Sequence, residues 1–149
     1  MITYQQPIGP RFPILLLEDD QSVIDIIQEA SKTAFPEADF IVIKTFEDAI
    51  AFLDNLEGKG AKLVLLDIHL SGTQTGLDLL ERIKVSPRYK LLPAIIFTMS
   101  DNQTYISRAY QLGANSFINK PFSFLEWKNL LLTIRLFWYK TATLPNIYF

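Results

Sequence analysis

Six side chains able to do chemistry stand just after short apolar runs in this 149-residue chain. Glu18, Asp19 and Asp20 follow the run 14–17, Asp67 follows 63–66, Thr98 follows 94–97, and Lys120 comes shortly after 116–118. Carboxylates are competent nucleophiles and oxygen donors for hard cations. Lysine offers a mobile point charge and threonine a neutral hydroxyl donor. Each residue alone has an ordinary explanation. Acids before a helix cap it, an aspartate after a strand turns the chain, and threonine and lysine are common strand and surface residues. The informative feature is their shared position at the exits of apolar runs.

Those runs are continuous rather than alternating, as expected of strands buried on both faces of a parallel sheet. A further run at 40–43 exits into Lys44 and Thr45. Helical spacing fills the gaps. Val23, Ile24, Ile26, Ile27 and Ala30 mark a first helix, with Asp19 or Asp20 as its cap. Phe46, Ile50, Leu53 and Leu56 mark a second, ended by Gly58. Leu77, Leu80 and Ile83 mark a third, ended before Pro87. Tyr105, Ala109 and Leu112 mark a fourth, closed by Gly113. Ser123 caps a fifth running to about Tyr139, with Glu126 as its capping-box partner. Five β–α units with right-handed crossovers predict an α/β, doubly wound, five-stranded parallel sheet with helices on both faces. Ligands of such sheets bind beyond the carboxyl ends of the strands, where strand order reverses. The expected division is an N-terminal extension over 1–10, one domain over 11–140 and a C-terminal tail over 141–149.

Composition narrows the function. With 49% hydrophobic residues the chain has enough apolar surface for one real core. A net charge of -2 supplies no general basic field for nucleic acid. Zero cysteines exclude disulfides, thiolate zinc and cysteine catalysis, and a single histidine, His69, excludes a multi-histidine metal site. The start is polar and proline-interrupted, and no run approaches a membrane span of roughly 20 apolar residues. A soluble, cytoplasmic protein is expected.

LLLEDD, LLDIHLSGTQTGLDLL, IIFTMSDN and GANSFINKPF resemble, in order and spacing, the motifs of a two-component response regulator receiver domain. This is the chemotaxis-regulator type of flavodoxin-like fold, and the resemblance covers about Pro13 to Tyr139. It implies strand order 2-1-3-4-5 and a phosphoacceptor role for Asp67. It further implies Mg2+ held by Glu18, Asp19, Asp67 and the backbone carbonyl of His69, with Thr98 and Lys120 contacting the phosphoryl group. Thr98 and Phe117 would be the switch residues, and the Lys120–Pro121 bond would be cis. Three packed carboxylates repel, so a hard divalent cation suits them. The chain departs from the family pattern in places. Its loop from Asp67 to Gly76 is one residue longer than usual. Ser71, Met99 and Phe117 stand where proline, a small residue and often tyrosine occur. Phosphorylation with non-standard kinetics is therefore expected.

The implied donor is a histidine kinase or phosphotransfer protein, because one histidine without a nucleotide-binding pattern makes this chain an unlikely kinase. The expected protein is a single-domain regulator that signals by protein contact. It would bind neither DNA nor membrane, and would not be an enzyme beyond phosphotransfer and self-dephosphorylation. FWYKTATLP resembles the ending of the stand-alone, phytochrome-associated type of regulator, known for dimers. Helix five and the tail carry too many apolar residues for one stripe, so a homodimer centred on Leu131, Phe137, Trp138 and Pro145 is expected. Three rival readings fit the residues less well. A phosphate-independent adaptor has no need of the full acidic, Thr98 and Lys120 set. An aspartyl-phosphate phosphatase usually has a second aspartate where His69 stands. A flavin carrier would need a phosphate cradle where the acids of 18–20 repel.

Overall fold

The computed structural model describes residues 9–55, 60–99 and 102–147. Five strands are present: β1 (Phe12–Leu17), β2 (Ala38–Ile43), β3 (Leu63–Leu66), β4 (Ala94–Thr98) and β5 (Ser116–Asn119). Alternating with them are α1 (Gln21–Ala34), α2 (Phe46–Asp54), α3 (Gly76–Val85), α4 (Gln103–Gln111) and α5 (Phe124–Ile134). The sheet runs in the order β2-β1-β3-β4-β5 and every pairing is parallel.

The continuous apolar runs follow from that topology. Successive strand residues face opposite sides, so both sets must be apolar when helices cover both faces. Leu15, Leu17, Val64, Leu66 and Ile96 join one core with α2, α3 and Ala109 of α4. Ile14, Leu16, Leu63, Leu65, Ile95 and Phe97 join the other with α1 and α5.

Local chemistry sets the helix starts. Asp20 caps α1 by accepting the Ser22 N–H, and Thr45 and Ser123 cap α2 and α5. Thr75 and Asp78 form a reciprocal capping box at α3. The box expected at α5 is only half made, because the Glu126 carboxylate accepts the N–H of Phe122 instead of that of Ser123. Gly113, at φ 102°, occupies the left-handed conformation after α4. Leu56 and Gly58, expected at the end of the second helix, lie outside the described residues.

The last helix does not continue as an α-helix to Tyr139. Over Arg135–Tyr139 it widens into a π-helical segment. Arg135 opens that segment and makes a bidentate pair with Glu37, at 2.9 and 2.8 Å. Glu37 is buried in the connection between α1 and β2. Tyr139 packs on Phe12 and Phe35 and bonds to the carbonyl of Pro10. The tail then returns to its own domain. Leu144 packs on the α1–α5 core and Ile147 on the opposite one, beside Lys62 and Pro93. Leu131, expected at the centre of a dimer interface, is instead 1% exposed, because its side chain completes the α1–α5 core.

The Arg135 guanidinium holds the Glu37 carboxyl below the usual carboxylate range, through its hydrogen bonds first. Replacing Arg135 with alanine strands a buried carboxylate, at an expected cost of about 3 kcal/mol at neutral pH. A depressed folded value contributes stability above the unfolded carboxyl value and loses it as pH falls through the folded one. Urea unfolding of wild type and Arg135→Ala should therefore differ most at neutral pH and converge in acid.

Candidate functional site

Parallel strands that end at one sheet edge bring their exit residues together, and the strand order reverses between β1 and β3. Glu18 and Asp67 leave these two adjacent strands, and Thr98 ends β4. The Lys120 N–H extends the β4–β5 ladder by donating to the Thr98 carbonyl at 2.9 Å. From there its side chain reaches past β4 to the carboxylates at the exits of β3 and β1. The ammonium lies 2.9 Å from Asp67 Oδ2, as a hydrogen bond, and 2.6 Å from Glu18 Oε2. Lys120, Asp67 and Glu18 are all buried.

Carboxylate oxygens of Glu18, Asp19 and Asp67 lie within 4.8 Å of one another. Burial raises the Glu18 carboxyl above its ordinary value, with Lys120 opposing that rise and Asp67 adding to it. Burial also disfavours the Lys120 ammonium, but its two carboxylate partners outweigh this and raise its value. When the three acids are ionised, one ammonium leaves two negative charges uncompensated at this edge. Among the described residues, two buried side-chain atoms also lack aligned hydrogen-bond partners, Glu18 Oε2 and Thr98 Oγ1. The first has the ammonium close by but poorly aligned. The second belongs to a fully buried residue, and a buried hydroxyl without a protein partner ordinarily costs about 1–3 kcal/mol. A hard divalent cation fits the oxygen donors and the surplus charge, and an anion accepting from Thr98 and Lys120 fits the remaining groups.

The loop after Asp67 is held at both ends. The Gly76 N–H donates to the Ile68 carbonyl at 2.8 Å. A Cβ on Gly76 would overlap the Asp67 carbonyl, which explains glycine at this contact. The His69 N–H donates to Asp67 Oδ1 at 3.2 Å, while its exposed ring meets Tyr105 of α4 edge-on. Ser71 donates to Asp19 Oδ2 at 2.6 Å, a contact the sequence reading missed. Asp20 caps α1 and is not in the carboxylate group. Phe117 is half-buried against the α2–α4 core, and its N–H donates to the Tyr110 hydroxyl.

The peptide bond before Pro121 is trans, contrary to expectation, as are all described peptide bonds. Trans is the lower-energy isomer by about 0.5–1 kcal/mol. The long lysine side chain reaches both carboxylates from this backbone, so nothing at the site demands the other isomer.

Residues 14–131 match the response regulator receiver domain. The chain belongs to that family and is a two-component signalling protein. It is 29% identical over 141 residues to response regulator Rcp1 of Synechocystis sp., covering 92% of this chain and 95% of Rcp1. The probable methanogenesis regulatory protein FilR2 of Methanothrix harundinacea is 34% identical over 134 residues, covering 85% of this chain and 83% of FilR2. Among solved structures, the phosphorylated cyanobacterial phytochrome response regulator RcpA superposes with a TM-score of 0.83 at 28% identity, covering 91% of this chain and 99% of RcpA. The Mn2+-bound form of Rcp1 gives 0.80 at 29% identity, over 91% and 99%.

Removing the ammonium tests how the site is balanced. Lys120→Met should cost roughly 3–5 kcal/mol at neutral pH, because two buried carboxylates lose their cation. Glu18 has a raised folded value, so the stability linked to it is full below the unfolded carboxyl value and is lost as pH rises through the folded one. The deficit of Lys120→Met in denaturant titrations should accordingly shrink as pH is lowered.

Proposed function

We propose that the chain accepts a phosphoryl group on Asp67 from a phosphohistidine of a histidine kinase or phosphotransfer protein. The observation that carries this reading is the buried Asp67 carboxylate, bonded to Lys120 and grouped with Glu18 and Asp19. An Asp67 oxygen attacks phosphorus, the phosphorus–nitrogen bond of the donor breaks, and its electron pair returns to the imidazole. The product is an acyl phosphate on Asp67. Lys120 stays beside the carboxylate and pairs with the incoming phosphoryl oxygens. The Thr98 hydroxyl gains the acceptor it lacks. Glu18, Asp19, Asp67 and the His69 carbonyl would hold Mg2+, which supplies charge neutralisation to the transferring group. Later attack by water on phosphorus would return Asp67 to a carboxylate.

Output is a population shift of Thr98, Phe117 and the face formed by α4, β5 and α5, read by protein contact. The supporting contact is that Phe117 N–H is tied to α4 through Tyr110. We place the protein in the cytoplasm, with an ATP-fed kinase as the origin of the phosphoryl group. Among the described residues, no helix is long and apolar enough to cross a membrane.

Asp67→Asn keeps shape and the acceptor for Lys120 while removing the nucleophile. Wild type incubated with a small phosphoryl donor and Mg2+ should gain one phosphoryl group by intact mass, and Asp67→Asn should gain none. Equal uptake by the variant would place the acceptor elsewhere.

We also propose a homodimer through α5, the π-helical segment and the tail. Leu132, Leu136 and Phe137 remain exposed there, and Phe137 stacks edge-on against the half-buried Trp138. Aromatic anchors of this kind dominate interfaces, and a specific dimer buries roughly 1,200–2,000 Å² in total. Sedimentation at micromolar concentration should show a dimer that Phe137→Ala or Trp138→Ala weakens. A wild-type monomer would defeat it.

A further inference from the structure

Lys120 serves two of the three carboxylates and leaves the third to another partner. Its ammonium pairs with Glu18 and Asp67, and among the described residues Asp19 has no ion pair. Asp19 is partly exposed and lies against two like charges, so electrostatics alone would turn its carboxylate towards water. Ser71 opposes that rotation, donating to Asp19 Oδ2 at 2.6 Å across the mouth of the site.

We propose that Ser71 is a positioning residue for Asp19, fixing its carboxylate as a ligand and thereby setting the affinity of the site for a divalent cation. The inference rests on the reading of Glu18, Asp19 and Asp67 as metal-holding groups. The bond uses one lone pair of Oδ2, leaving Oδ1 and the rest of Oδ2 for a cation. Partners that orient a ligand in this way commonly change metal affinity by about 10–100-fold.

The hydroxyl is presented from a fixed backbone. Ser71 pairs with Thr45 in an isolated parallel bridge, and the Thr45 side chain caps α2. At the other end of the loop, Gly76 is bonded to Ile68 and packed on the Asp67 backbone. The extra residue of this loop therefore lies between two clamps, with Ser71 at the first. Proline, common at this position in the family, has no hydroxyl to donate, so this chain orients its acid by a device a proline-bearing loop lacks. The unpartnered, fully buried Thr98 hydroxyl is a separate sign that the same edge is built for a ligand.

The test measures metal binding without phosphorylation. Mn2+ is titrated into the full chain, with free metal followed by electron paramagnetic resonance and folding by thermal melts of the metal-free proteins. Ser71→Ala should melt as wild type does and raise the Mn2+ dissociation constant about tenfold. Ser71→Thr keeps the hydroxyl, tolerates the extended backbone of the bridge and should restore the wild-type constant. Equal affinity in wild type and Ser71→Ala would overturn the role of Ser71 while leaving the metal site standing. A Ser71→Thr protein as weak as Ser71→Ala would also overturn it, assigning the loss to the loop backbone. Absence of saturable Mn2+ binding in wild type would remove the metal reading itself, and this proposal with it.

Discussion

One ammonium between two buried carboxylates decides what the rest of this structure must do. Lys120 reaches Glu18 and Asp67 from a different strand, so the contact exists only when β1, β3, β4 and β5 are in register. Buried ion pairs are weak sources of net stability, since desolvation offsets much of their attraction. Both Glu18 and Lys120 are penalised by their burial here. The two hydrophobic cores must therefore supply the free energy that keeps three acids and a lysine at one edge. The sheet supplies it through strands that are apolar on both faces, so the polar site begins where the strands end. Glu18 Oε2 and the buried Thr98 hydroxyl have no aligned protein hydrogen-bond partner there.

The backbone around Asp67 shows how tightly that edge is held. Gly76 touches the Asp67 carbonyl where no side chain fits, so α3 starts directly against Asp67. Ser71 ties the intervening loop to Asp19 through its side chain and to Thr45 through its backbone. Phe97 presents its ring to the Lys120 ammonium at 5.2 Å and is itself packed edge-on against Trp127 of α5. The lysine is thus aimed from below by the α1–α5 core and from above by the carboxylates.

Much of this was legible in the sequence, for a physical reason. Strand runs buried on both faces are read directly from continuous apolar residues, and the exits at Glu18, Asp67, Thr98 and Lys120 follow from them. The family resemblance then supplied the strand order. Contacts made at a distance were not legible. Nothing local in SGTQTG announces a bond from Ser71 to an acid 52 residues earlier. Glu126 matches a capping box in spacing, yet its carboxylate found the Phe122 N–H. The trans bond before Pro121 escaped because the resemblance outweighed the intrinsic preference. At the C-terminus, counting apolar residues located a broad face. It could not say that Leu131 is consumed by the core while Leu132 and Phe137 are left outside, because that depends on the rotation of α5 and on the π-helical widening after it.

Strand β5 is joined to α4 through its backbone. Thr98 ends β4 opposite Asn119, and Phe117 lies two residues earlier on β5, opposite Ile96. A tyrosine at this position could report its rotation through a hydroxyl, whereas phenylalanine cannot. Here the hydroxyl stands on the other partner: Tyr110 of α4 accepts the backbone N–H of Phe117. That bond survives any rotation of the Phe117 ring, because the ring takes no part in it. The link between β5 and α4 therefore follows the strand backbone and not the aromatic side chain.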